Sequence, residues 1–200
     1  MTAPAGPPIE PVLPLLWPPG FETRGTELYA VLDGARDPRI HELVGASELA
    51  WRCLYAGRLP AELLEVAPYL VHVRPDAAFT HTLLTAGWGQ AWGIWLVSAA
   101  PFDELRRHLR RFLQAKDERG RQLLFRYYDP VVLAAFLPTC TPAELAELFG
   151  PIDAFLVETE VTGEVAELWF DGAALRTRIR TAAAIQPAST GPAIAPPDTR

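Results

Sequence analysis

The sequence contains little lysine and little cysteine. Its single lysine, Lys116, stands among 18 basic residues, and together with the many alanines and prolines this indicates a GC-rich genome rather than a particular chemistry. The two cysteines, Cys53 and Cys140, lie far apart and have no CxxC spacing. They can pair, but in a chain without an export signal two buried free thiols are the favoured interpretation.

Long apolar runs are also missing. No stretch approaches the ~20 uninterrupted apolar residues that a membrane helix needs. The N-terminus has no basic segment ahead of an apolar one, and seven prolines between positions 4 and 19 interrupt every apolar run there. This pattern excludes a conventional signal peptide. We therefore expect a cytoplasmic protein without a membrane partner.

Excess positive charge is absent as well. The formal net charge is −6 and the pI is about 5.2, so the chain as a whole has no electrostatic footprint for nucleic acid. The chain is rich in apolar residues: 50% of its 200 residues are hydrophobic and 10% are aromatic. This composition suits one domain with a proper core.

Known catalytic motifs do not occur in the sequence. There is no GxSxG, P-loop, dinucleotide-binding fingerprint or HExxH. His72 and His81 could bracket a metal ion, but no acidic cluster accompanies them, and non-ligand roles are favoured. The sequence therefore predicts no metal, no cofactor and no nucleophile paired with a base.

Strand and helix signals alternate along the chain, which predicts an α/β fold: a mixed sheet with helices packed on it, in a single compact domain. Apolar runs predict strands, and capped segments of helical periodicity predict helices. The predicted strands are 28–34, 51–57, 68–73, 92–98 and 122–129. The predicted helices are 38–47, 76–87 (capped by Asp76), 101–114, 130–137 and 142–149.

The helix before Gly150 carries the clearest end signals. Thr141 is suited to the N-cap, Glu144 completes a capping box, and Gly150 followed by Pro151 ends the helix. After it, residues 153–160 and 164–170 predict a hairpin around Thr162 and Gly163.

The domain organisation follows from composition. Residues 1–24 are rich in proline and predict a flexible arm, with a group of apolar residues around Trp17 that could dock on a surface. Residues 25–152 form the α/β domain, and residues 153–181 form the C-terminal hairpin and a short helix. Residues 182–200 contain mainly Ala, Pro, Ser and Thr and predict a disordered tail.

The stretch FRYYDP (125–130) is the densest group of reactive-looking side chains. Asp129 fits the N-cap of a following helix, and Pro130 fits its first position, where a missing N–H costs nothing. This helix is apolar all round, so we expect it to be buried. In the preceding strand, Arg126 and Tyr128 share one face, and Asp33 is a candidate partner for Arg126. The favoured interpretation is structural; the alternative is an enzyme using Arg126, Tyr127, Tyr128 and Asp129.

Two other features are candidates for partner binding. Helix 101–114 is rich in arginine, and Arg107 and Arg111 could form a positive face for an acidic partner, although a solvated face is the commoner explanation. A subunit of another assembly docking through this helix is a further alternative. Trp88, between Gly87 and Gly89, lies outside the predicted strand, where its ring could be presented to a partner.

Several short motifs follow one another between Leu28 and Ile152: LYAVLDGA (28–35), LYAG (54–57), APYLVHV (67–73), WGIWLVS (92–98), LRRHLRRFL (105–113), GRQLLFRYYDPVVL (120–133) and LFGPI (148–152). The most specific part is GRxxxFRYYDP followed by FGP. In their order and spacing these motifs resemble a known family, the bacterial type VI secretion effector chaperones or adaptors, whose defining domain was first catalogued as of unknown function.

The resemblance implies a non-catalytic adaptor. Such a protein binds a toxin effector in the cytoplasm and loads it onto the VgrG spike of the secretion machine. Larger members of the family continue into a substantial C-terminal lobe, whereas here little structure is expected after Phe170. Partner choice would then depend on the core domain, the tails or the short C-terminal segment.

Overall fold

The computed structural model describes residues 11–116 and 120–182 and is built around a seven-stranded sheet. The predicted tail from residue 183 onward and the first ten residues of the predicted arm lie outside the described residues. The α/β fold class is confirmed. Within the described residues every strand pair is antiparallel, although a mixed sheet was expected.

The strands run in the order β2-β3-β1-β4-β7-β8-β9, and β5 and β6 form a separate two-stranded ribbon. Their bounds are β1 Glu27–Asp33, β2 Trp51–Cys53, β3 Pro68–Val73, β4 Gly93–Ser98, β5 Gln114–Lys116, β6 Gln122–Leu124, β7 Ala154–Glu158, β8 Glu164–Phe170 and β9 Leu175–Thr181. The central strand is β4, as its two apolar faces indicate.

The α-helices of the described residues are α1 Leu13–Leu16, α2 Pro38–Gly45, α3 Ala61–Glu65, α4 Ala78–Gly87, α5 Phe102–Arg111, α6 Pro130–Phe136 and α7 Pro142–Phe149. The predicted capping box of α7 is present: Thr141 and Glu144 bond each other's backbone N–H groups. The cap predicted for α4 is wrong, because α4 begins after Ala77 and has no side-chain cap.

Helices cover both faces of the sheet. Alternate residues of a strand point to opposite faces, so Leu28, Ala30 and Leu32 of β1 enter one core while Tyr29 and Val31 enter the other. The first core contains buried residues of α1, α2 and α4, and the second contains those of α5, α6 and α7. The result is a three-layer domain.

Two predicted strands extend too far. The strand predicted at 51–57 ends at Cys53, and the one predicted at 122–129 ends at Leu124. Residues 125–129 instead form a turn that leads into α6. Aromatic side chains are buried both in this turn and in strands. The aromatic content of residues 125–129 therefore did not distinguish a turn from a strand.

The C-terminal segment contains a third strand where a short helix was expected. Strand β9 pairs with β8 over seven residues and completes the sheet after the predicted hairpin. Its Arg180 is buried, donates to both carboxylate oxygens of Glu167 and also donates to the carbonyl of Leu15 at 2.7 Å. Long-range partners therefore order this polar segment.

The described part of the predicted flexible arm is packed on the domain. Leu15 and Leu16 of α1 are fully buried in the first core, and a 3-10 turn at Phe21–Arg24 buries Phe21. Apolar side chains in this proline-rich segment thus contribute to the core. Among the described residues, no helix is long and apolar enough to cross a membrane.

Candidate functional site

The Asp129 carboxylate occupies the N-cap of α6, as predicted. Its Oδ1 accepts from the N–H of Val131 at 3.0 Å and of Val132 at 3.4 Å, and Pro130 occupies the first helical position. Its Oδ2 accepts from Arg36 at 2.8 Å, a contact that the sequence pattern did not indicate. Both oxygens are therefore engaged in structural contacts.

The predicted pairing of Arg126 with Asp33 is also present. Asp33 is 1% exposed at the end of β1, and the Arg126 side chain, which is 41% exposed, donates to it. The Asp33 carboxylate also accepts from the N–H of Ala35 at 3.2 Å. The bond to Asp33 is the main reason that the pKa of Arg126 lies above its ordinary value. This ion pair fixes the 125–129 turn to the sheet.

The two tyrosines of the cluster are packing residues. Tyr127 and Tyr128 are both buried in the second core, with their rings 5.6 Å apart, whereas the strand predicted for this segment would place neighbouring residues on opposite faces. The hydroxyl of Tyr127 donates to the carbonyl of Leu109 at 3.0 Å. Burial raises the pKa of both phenols. Both phenols therefore stay protonated in the core.

Helix α6 is not buried as its composition predicted. Only Pro130 and Leu133 are buried, while Val131 is 71% exposed. The neighbouring strand β6 is exposed too, with Leu123 and Leu124 about half exposed. We call the exposed large hydrophobic side chains of these two elements the apolar patch: Leu123, Leu124, Val131, Val132 and Phe136.

The arginine-rich face of α5 lies beside α7. Arg107 and Arg111 are exposed, and Arg111 pairs with Glu147 of α7 at 3.0 Å, with both side chains about 60% exposed. An open cleft of about 710 Å³ lies between the two helices. These residues are accessible to a partner, so their role in partner binding stays a prediction.

His108 lies in the same helix but points into the domain. Its ring is buried, and Nε2 bonds the carbonyl of Leu148 at 2.8 Å. Burial lowers the pKa of His108. A Cβ at Gly150 would lie 2.4 Å from this ring, which explains the glycine that ends α7 before Pro151.

The structure corrects the prediction that Trp88 presents its ring to a partner. Trp88 is 6% exposed and belongs to the first core, and the chain turns just after it at Gly89 (φ 76°). Trp17 is half-buried against the same core. Replacing Trp88 is therefore expected to affect stability first.

Sequence reasoning missed the carboxylate next to Trp88. Glu158, half-buried at the end of β7, accepts from the N–H of Gly89 at 2.6 Å and from the side chain of Trp95. Burial raises its pKa to about 7. The contact of Glu158 with the 87–92 loop joins segments that are far apart in the sequence, so it is visible only in the folded structure.

The histidines and cysteines form no metal site in the described part of the chain. His72 bonds Glu27 at 3.1 Å, and His81 bonds the carbonyl of Pro75 at 2.9 Å. Cys53 and Cys140 are free thiols. Burial raises the pKa of both thiols, which disfavours the reactive thiolate.

A comparison with protein families places most of the folded part of the chain in a family. The model described as "Domain of unknown function (DUF4123)" matches residues 28–147, which includes β1 through most of α7. No curated protein and no solved structure matches the chain.

Proposed function

Because the chain belongs to the DUF4123 family, which is associated with type VI secretion effector adaptors, we propose that it is a non-catalytic adaptor. In this proposal it binds a toxin effector in the cytoplasm and helps to load it onto the VgrG spike. The family match over residues 28–147 is the observation that carries the proposal.

The contacts of the FRYYDP segment support a binding role over the alternative of an enzyme that uses it. Asp129 caps α6, Arg126 holds the buried Asp33, and the rings of Tyr127 and Tyr128 are packed in the core. A general acid or base has to reach a substrate proton. These side chains are instead committed to bonds that position α6.

Co-expression tests the proposal. The protein is tagged and produced together with toxin effectors and VgrG-like proteins of the same organism, and the purified fraction is examined for both. We expect the effector to co-purify. A folded adaptor that retains neither protein would contradict the proposal, and the Asp129→Asn variant provides the control against catalysis, since it keeps the cap and should keep binding.

A further inference from the structure

We propose that the apolar patch on α6 and β6 is the docking surface for the effector, and that it receives an amphipathic segment carrying acidic residues beside its apolar face. This inference rests on the proposed adaptor function and names the surface and the chemistry that the function would use.

Exposed hydrophobic side chains are concentrated at this place. Of the nine large hydrophobic residues exposed in the described chain, five lie within residues 123–136, and the other four are Leu63, Val66, Val161 and Ile179. Single exposed hydrophobic residues are normal, whereas a group on neighbouring elements marks an interaction surface.

A ring contact links the end of the ribbon to the helix. The rings of Phe125 and Phe136 contact edge to face with centroids 4.6 Å apart. Val132 lies one helical turn before Phe136, so both occupy the same side of α6. The N–H of Phe125 donates to the carbonyl of Leu113 at 3.0 Å, which holds the end of β6 against the chain that leaves α5.

Arginine side chains border the patch on two sides. At the start of α6, Arg36 pairs with Asp129 and Arg126 pairs with Asp33. In both pairs the arginine side chain is the more exposed partner; for Arg36 and Asp129 the exposed fractions are 36% and 13%. At the other side, Leu124 lines a cleft of about 270 Å³ together with Arg110 and Arg111. Arg111 is itself paired with Glu147, which is equally exposed. At the start of α6, however, the guanidinium groups are the more exposed partners, and Arg110 adds a further positive charge, so the exposed part of the rim is positive although the net charge of the chain is −6.

The charge of the rim selects the occupant. A second copy docking patch to patch about a two-fold axis would place these arginines against each other, which is unfavourable. A segment with an apolar face and flanking carboxylates matches both the patch and its rim. Of the two partners in the proposed adaptor function we assign the patch to the effector, and the binding tests below distinguish it from the spike.

The test compares variants of exposed residues. Leu124→Asp and Val131→Asp each place a negative charge on the patch, and Val131 lies in the first turn of α6, where an acidic side chain favours the helix. Val161→Asp is the matched control, because Val161 is 57% exposed and lies in the β7–β8 turn. Binding of the purified effector is measured by titration at low and high salt, with thermal melts of every variant.

We expect each patch variant to melt like the wild type and to bind the effector at least tenfold more weakly, with Val161→Asp unchanged. Affinity of the wild type should fall as salt rises, because the charges on the rim are solvent-exposed. Arg111→Glu should weaken binding and reduce this salt dependence. Amide hydrogen exchange in the complex should show protection at residues 122–125 and 130–137.

Several results would overturn the assignment. They are unchanged effector affinity in both patch variants, protection confined to the free edge of β9, loss of spike binding in place of effector binding, or a patch-dependent dimer in light scattering. These results leave the adaptor function intact, because the wild type still binds. A wild-type protein that binds neither partner refutes the adaptor function, and the patch assignment with it.

Discussion

Asp129 shows how one carboxylate can resemble a catalytic group and still be structural. One of its oxygens caps α6, and the other accepts from Arg36, a residue 93 positions earlier in the chain. The sequence predicted the cap, because an Asp-Pro pair before an apolar run is a helix start. It did not indicate Arg36, since an ion pair between distant residues has no local signature.

Replacement of Asp129 by alanine is expected to lower the free energy of unfolding by about 1 kcal/mol through loss of the cap. The pair with Arg36 adds little, because its guanidinium is more than a third exposed to solvent. Asp129→Asn and Asp129→Ser should recover most of the loss, since each still accepts from the helix amides. Urea unfolding of the three variants measures this. Equal losses of stability in all three variants would show that the helix cap is not how Asp129 stabilises the protein.

Gly150 is expected to tolerate no side chain. It has φ 46°, and a Cβ would lie 2.4 Å from the His108 ring, which is itself held by Leu148. Gly150→Ala should therefore lower stability by about 1–3 kcal/mol. Gly45→Ala is the control, because nothing lies within 4 Å of its added Cβ and its φ is not positive. Thermal melts in which the two variants match the wild type would contradict the explanation.

Glu158 is expected to make stability depend on pH. Its pKa is about 7 in the folded protein, against an ordinary value of 4.5 that applies to the unfolded chain. Between these values the folded state binds the proton that the unfolded state has lost, so stability falls as pH rises from about 4.5 to 7 and then levels off. Glu158→Gln can still accept from Gly89 but does not titrate.

Unfolding curves at several pH values between 4 and 8 measure this effect. The Gln variant should gain stability relative to the wild type across that interval and show no further gain above it. Parallel pH profiles for the two proteins would mean that Glu158 titrates normally in the folded state.

At the scale of elements, the sequence predicted the buried strands best. Strands β1, β3 and β4 are apolar on both faces and are predicted within one residue, because apolar runs of this length fit a strand covered by helices on both sides. Strand β9, LRTRIRT, was missed because it contains few apolar residues. Pairing with β8 and the contacts of Arg180 order it, and neither is visible locally.

Within β9, removal of Arg180 is expected to cost about 3 kcal/mol of stability. Arg180→Ala leaves the buried Glu167 paired only with the more exposed Arg178 and breaks the bond to the Leu15 carbonyl, so α1 should also loosen. Arg176→Ala, in the same strand, removes only an exposed pair with Asp171 and should have a much smaller effect. Chemical denaturation and amide exchange at residues 13–17 test this, and equal stability losses would contradict it.

For the whole molecule, the sequence predicted a sheet with helices on it but not which surfaces are open. Helix α6 is apolar in composition, and burial was the natural expectation, yet only one side of it contacts the core. Conversely, Trp88 lies between glycines and is buried. Exposure depends on how complete elements pack together, so the candidate binding surface became apparent only in the folded structure.

The central claim, that the protein promotes assembly of an effector with the spike, is tested most directly by recovering the spike from cells. VgrG is purified by a tag from cells that produce the effector with or without this protein, and the amount of effector retained on VgrG is quantified. The account predicts at least tenfold more effector on the spike when the adaptor is present. Equal recovery of the effector in its absence would contradict the account.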